Sequence, residues 1–206
     1  MKRIFKWILT IIGIISGTLI IIYFIGITSF MILFGKRYNA QDLIENYKTN
    51  SKQITEIITY INSITPKDTH ISLEFESNRN LGIFHVNAAD ISDNNWDLNI
   101  NSTKTEFLLK KLGWSKATLL NIKEKLDEVD CISIENGNPF TIGYQRSGMA
   151  MFSYKIFEKP LTDSEHKQYN DGCMFMQYNN NVVLEYGSGA TGSLCYGDFK
   201  TKKKVL

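Results

Sequence analysis

Hydrophobic residues along this chain follow three successive rhythms: an unbroken run, a seven-residue recurrence, and then alternation with period two. The unbroken run comes first. From Trp7 to Gly35 no residue is charged, and the only polar side chains are Thr, Ser and Tyr. A hydrocarbon core of about 30 Å is crossed by roughly 20 apolar residues in a helix, so this length predicts a transmembrane anchor over residues 7–35 with room for tilt. A cleavable signal peptide would carry an apolar stretch of only about 7–15 residues ending in a small-residue cleavage site. Here the exit reads Ser29-Phe30-Met31-Ile32-Leu33-Phe34, with no Ala-x-Ala and no nearby Cys to accept a lipid.

The seven-residue rhythm follows Gly35. Tyr47, Ile54 and Ile61 recur every seven positions, and Leu43, Asn50, Ile57 and Ile64 form a second set three residues away. This predicts an amphipathic helix from about Ala40 to Ile64 within a juxtamembrane segment 36–66, closed by Pro66. Such a seam fits either a self-associating stalk or, more ordinarily, a helix lying on its own domain. Alternation takes over at HISLEFE, where Ile71, Leu73 and Phe75 interleave with His70, Ser72, Glu74 and Glu76, and continues in LGIFHVN. A polar, irregular stretch from Asn87 to Thr105 gives way to two helical segments, the second capped by Ser115. The last third reads as strands: CISIE, PFTIGYQ, AMFSYKIF, CMFMQY and VVLEYG, with a short helix opened by the capping pattern Thr162-Asp163-Ser164-Glu165. The expected class is α+β: one domain over 67–199 with a mainly antiparallel sheet and a few helices, then a Lys-rich tail at 200–206.

Charge refines this picture. Lys2, Arg3 and Lys6 precede the apolar run, and Lys36 and Arg37 follow it. This three-to-two bias favours a cytoplasmic tip (residues 1–6) and a domain outside the inner (plasma) membrane. Five of the 23 Lys and Arg therefore flank the run, leaving 18 against 21 Asp and Glu in the rest of the chain. That mildly acidic balance argues against a nucleic-acid binder, which would present a clustered basic face. The abundance of Ile and Asn, with Lys well above Arg, fits AT-rich bacterial coding. Cys131, Cys173 and Cys195 contain no Cys-x-x-Cys. Outside the cytoplasm one pair can close, and Cys173 with Cys195 is the expected disulfide, Cys195 following a Gly-rich loop.

Catalytic signatures are fragmentary. Gly187 to Gly192 spells G-x-G-x-x-G but lacks a following βαβ unit and the acidic ribose-binding residue. Ser164 to Lys167 and Ser92-Asp93-Asn94 match fragments of penicillin-recognising enzymes in the wrong order. The most plausible chemistry is His70 with Glu74 and His85, if the first two strands pair. That face could serve acid–base work, or equally be a solvated sheet face. No cofactor and no metal is expected. The aromatic residues crowded between Phe140 and Tyr196 suit a core, with an exposed subset suiting an interface. Gly13 and Gly17 form G-x-x-x-G inside the apolar run. With Tyr47, Ile54 and Ile61 of the heptad seam, they make a homodimer conceivable. The expectation is thus a single-pass, non-enzymatic accessory or binding protein of the cell envelope, meeting another membrane or envelope protein, with immunity and inhibitor proteins in the same class. The alternative is a small anchored hydrolase using the first hairpin.

Overall fold

The computed structural model describes residues 7, 13, 15–27, 38–147 and 150–187. The chain divides into two units, Met1–Arg37 and Tyr38–Leu206. In the first, residues 15–27 are helical, and apolar side chains such as Leu19, Ile22 and Phe24 are exposed. Among the described residues no helix is long and apolar enough to cross a membrane, and the run expected as an anchor is described only in part. Gly13 and Gly17 are both helical, with open space where a Cβ would stand.

The second unit begins with helix α1 (Ala40–Ile64). Asn39 caps it, accepting from the backbone of Gln41 and Asp42 while Asp42 accepts from the Asn39 N–H. This reciprocal pairing satisfies amide groups that a helix start leaves orphaned. The heptad rhythm then has a concrete destination. Leu43, Ile54, Ile57 and Ile61 are buried in the core of their own domain, and Tyr47 packs against that core between Tyr154 and Tyr178. Of the two readings of the seam, the more ordinary one, a helix lying on its own domain, matches this packing: Ile54 and Ile61 have no accessible surface. The polar member of the buried stripe is Asn46 rather than Asn50. Its amide donates to the Val129 carbonyl at 2.9 Å, and its oxygen accepts from the Tyr154 hydroxyl at 2.9 Å.

Strands β1 (His70–Phe75), β2 (Asn80–Ala88) and β3 (Ile91–Asn99) follow as a meander. Helices α2 (Thr103–Leu112) and α3 (Lys116–Asp127) come next, capped by Ser102 and Ser115, and α2 ends at Gly113 in the left-handed region. The remaining elements are β4 (Ser133–Glu135), β5 (Phe140–Ser147), β6 (Ala150–Ile156), the short α4 (Asp163–Gln168), β7 (Phe175–Gln177) and β8 (Val182–Gly187). All eight strands form one antiparallel sheet in the order β3-β2-β1-β4-β5-β6-β8-β7. The α+β class with a single antiparallel sheet and a few helices is therefore shown.

One element departs from the sequence expectation: the polar stretch after Asn87 is mostly strand. β3 is the edge of the sheet, and Ser92, Asn94, Trp96 and Asn99 along it are exposed. A strand with one free edge and little apolar burial needs no hydrophobic alternation, so the period-two signal is absent there.

Alternation gives the sheet two unlike faces. Ile71, Leu73, Phe84, Val86, Ile134, Ile142, Phe152, Tyr154 and Leu184 join the helices in one buried cluster, the inner face. α1 lies against α3, and α2 against β3. Trp114 ties the layers by donating from Nε1 to the Ile64 carbonyl at 2.9 Å. On the opposite, outer face, a small cluster of Phe157, Leu161 and Val183 with Tyr169 and Phe175 lies at the β8–β7 end. Phe140, Tyr144, Phe152 and Tyr154 are all buried, so the aromatic crowding of the last third is largely core. Burial pushes the Tyr144 hydroxyl up to about 12, with the neighbouring Tyr38 adding to the effect.

Candidate functional site

The outer face of the central strands is where polar side chains gather, and strand register fixes who meets whom. One transverse row reads Asn94, His85, Ser72, Glu135, Thr141 and Lys155 across β3, β2, β1, β4, β5 and β6. The next reads Trp96, Ile83, Glu74, Ser133, Gly143 and Ser153, continuing to Glu185 on β8. Small residues recur through both rows: Ser72, Ser133, Thr141, Gly143 and Ser153. Taller charged residues flank them, and the result is a trough of about 340 Å³ lined by Glu74, Glu135, Arg146, Lys155 and Glu185 among others.

Gly143 sets the depth of this trough. A Cβ there would lie 2.0 Å from the Ser133 hydroxyl oxygen and 3.1 Å from the Met151 sulfur, so the floor has no space for a side chain. Gly82 on β2 makes room for two carboxylate side chains. A Cβ at that position would meet Glu76 Cγ at 3.1 Å and Glu74 Oε1 at 3.5 Å, so both carboxylate side chains lie over β2.

Charge is organised in pairs. Arg146 grips Glu74 with both arms of its fork, Nε to Oε1 and Nη2 to Oε2, each at 2.5 Å. The Glu74 side chain is 7% exposed and that of Arg146 41%, so the pair lies at the boundary of water and protein. Hydrogen bonding to Glu74 holds the Arg146 guanidinium above its ordinary range, and the charge of Glu76 adds to this. Glu185 accepts from the Ser153 hydroxyl at 2.9 Å and pairs with Lys155 at 3.2 Å. His70 Nε2 lies 3.1 Å from Glu135 Oε1.

His70, Glu74 and His85 do share one sheet face, because β1 and β2 pair with His85 opposite Ser72. Their carboxylate is differently partnered from the sequence expectation. Glu74 is held by Arg146, and the carboxylate beside the histidines is Glu135, which arrives from β4. His85 packs edge-on against Trp96, ring centroids 4.9 Å apart, and its Nε2 is buried with no hydrogen-bond partner. Desolvation lowers the His85 pKa, Glu135 opposes that shift, and His70 reinforces it. Among the described residues no group of three or more His, Cys, Asp or Glu is placed to hold a metal ion.

Several residues of this face were not singled out from sequence: Ser72 on β1, and Glu135, Gly143 and Arg146, which reach it through the non-local insertion of β4 and β5 beside β1. Trp96 had a visible signal, a lone tryptophan in a polar stretch; it is 61% exposed on the same face. Cys173 is disulfide-bonded, whereas Cys131 is free and buried; burial pushes the Cys131 thiol far up. Cys195 and Tyr196 lie outside the described residues, as do positions 188–192 of the Gly-rich motif. Ser164 and Lys167 belong to α4, whereas Ser92 to Asn94 lie on β3. No family model matches this chain, and comparison with curated proteins and with solved structures finds no match either.

Proposed function

We propose that this chain is a membrane-anchored, extracytoplasmic binding protein of the cell envelope, non-enzymatic, which uses the outer face of its sheet to engage a protein partner. The observation that carries the reading is the contrast on one sheet. Its inner face lies under three helices, while the middle of the outer face is left open, with a glycine-floored trough and an exposed tryptophan. Exposed Trp and Arg are residue types that partner-binding surfaces favour over average surface. The apolar run 7–35 supplies the anchor on sequence grounds, and its charge flanks favour an outside domain. A disulfide at Cys173 supports an oxidising compartment, since such bonds rarely persist in the cytosol. An immunity or inhibitor protein is one form of this function. A hydrolase built on His70, Glu74 and His85 draws no support from the geometry, because Arg146 occupies Glu74.

Two measurements test the proposal. A C-terminal alkaline phosphatase fusion should be active and a fluorescent protein fusion dark; the reverse pattern would place the domain in the cytoplasm. Affinity capture from native membranes should retain a discrete membrane or envelope protein with the wild type. Trp96→Asp should lose that protein, whereas Lys48→Asp, on the exposed side of α1, should keep it. Equal capture by both variants would overturn the assignment of the face.

A further inference from the structure

We infer that the partner segment received by the outer face is cationic: an extended stretch of protein bearing two basic side chains, one over Trp96 and one at Glu135. The inference rests on the binding role proposed above and names the chemistry of the partner. Two independent features of the face lead to it.

The first is the balance of charge. Glu74, Glu76, Glu135 and Glu185 stand on or beside the trough, against Arg146 and Lys155. The two cations are already paired with Glu74 and Glu185, so carboxylates exceed fixed cations by two, counting His70 and His85 apart. Glu76 is exposed, and the Glu135 side chain is 47% exposed, so both are reachable by an incoming charge. Complementary charge at such positions steers association and fixes register.

The second is Trp96. Its indole is 61% exposed, and among the described residues no Lys or Arg sits over it; the cation–ring contacts are Lys104 over Phe107 and Lys125 over Tyr60. The ring neighbour of Trp96 is His85, which burial biases towards the uncharged form. An open indole is the best aromatic acceptor of a cation, and it attracts the same ligand charge as the carboxylates do.

Spacing sharpens the expectation. Trp96 on β3 and Glu135 on β4 are three strand intervals apart, about 14 Å across the sheet. Four residues of extended chain cover about 13 Å, and an even separation keeps both side chains on the sheet side. Basic residues at i and i+4 of an extended segment therefore reach both sites.

The test titrates synthetic peptides into the full-length protein in detergent by calorimetry at low salt. One peptide carries Lys at i and i+4 in a Ser/Gly background, and its twin carries Glu at both places. The Lys peptide should bind and the Glu peptide should not. Glu135→Gln should weaken the Lys peptide several-fold, as should Trp96→Ala, and Glu76→Gln should weaken it less through the loss of overall charge, with thermal unfolding of these surface variants unchanged. Binding that ignores these substitutions would place the contact elsewhere and overturn the inference. So would absence of binding both in the wild type and in a variant with Lys200, Lys202, Lys203 and Lys204 replaced by Ser. Binding that appears only in that variant would assign the face to the chain's own tail, and would equally overturn a cationic partner. If the peptides fail while native capture still depends on Trp96, the binding role stands and only its cationic partner falls.

Discussion

The two faces of one sheet solve opposite problems with the same alternating strands. Inner-face residues Ile71, Leu73, Ile142 and Tyr154 meet α1–α3 and are close to inaccessible, so their interactions are those of volume and shape. Outer-face residues one position along, Ser72, Glu74, Gly143 and Ser153, meet each other and water, so theirs are charge pairing and the absence of bulk. On the inner side the buried polar groups Asn46, Tyr154 and the Val129 carbonyl answer one another. The outer face leaves His85 Nε2 unanswered and Trp96 bare. One face is finished by the chain itself; the other is left open to water.

If that contrast is right, the faces should break differently. The largest effect belongs to the inner face. Ile54→Ala, at a fully buried position on α1, should cost about 2–5 kcal/mol in chemical denaturation through lost transfer energy and the cavity left behind. The outer face should respond to charge instead. Arg146→Met leaves the nearly buried Glu74 carboxylate unpaired and should cost about 2 kcal/mol, below the range for fully buried pairs because Arg146 faces water. Glu74→Gln combined with Arg146→Met should recover much of that loss, an outcome no volume argument predicts for the inner face. Gly143→Ala should cost about 1 kcal/mol, because Met151 can swing away but the Ser133 side chain is met at 2.0 Å. Adding Ser133→Ala should restore part of it and show the two positions to be coupled.

The smallest effect is a pH dependence at His85. Its folded-state pKa lies below the ordinary value, so the unfolded chain takes up a proton first as pH falls. The stability contributed by the neutral ring is complete above about 6.5, declines as pH drops towards the depressed folded value, and is constant below it. His85→Asn should flatten the stability profile in that acidic window and leave it unchanged at pH 8.

Much of the inner face was legible in the sequence because its signals are local. The stripe Leu43-Ile54-Ile57-Ile61 and the alternation of Ile71, Leu73 and Phe75 each declare a buried side within a few residues. Helix starts at Ser115 and Thr162 were equally plain, each cap needing only a partner three residues away. The outer face was opaque for the converse reason. Which carboxylate would stand beside the histidines depended on β4 pairing with β1 some 60 residues later, and periodicity carries no register. Glu74 therefore looked like a partner for His70, when Arg146 holds it and Glu135 takes that place. β3 escaped because an edge strand with little buried apolar surface leaves no hydrophobic trace. The heptad seam left two readings open. Helical periodicity reports a buried stripe without saying whose surface buries it, and here it is the chain's own sheet.

The claim that the outer face is the working surface is tested most directly by photo-crosslinking in native membranes. A crosslinking amino acid is placed in turn at Trp96 and Asn94 on that face, and at Lys48 and Glu124 on the exposed side of the helices. Adducts to one discrete protein from the β3 positions, and none from the helix positions, are the predicted result; adducts that arise only from Lys48 or Glu124 would contradict it.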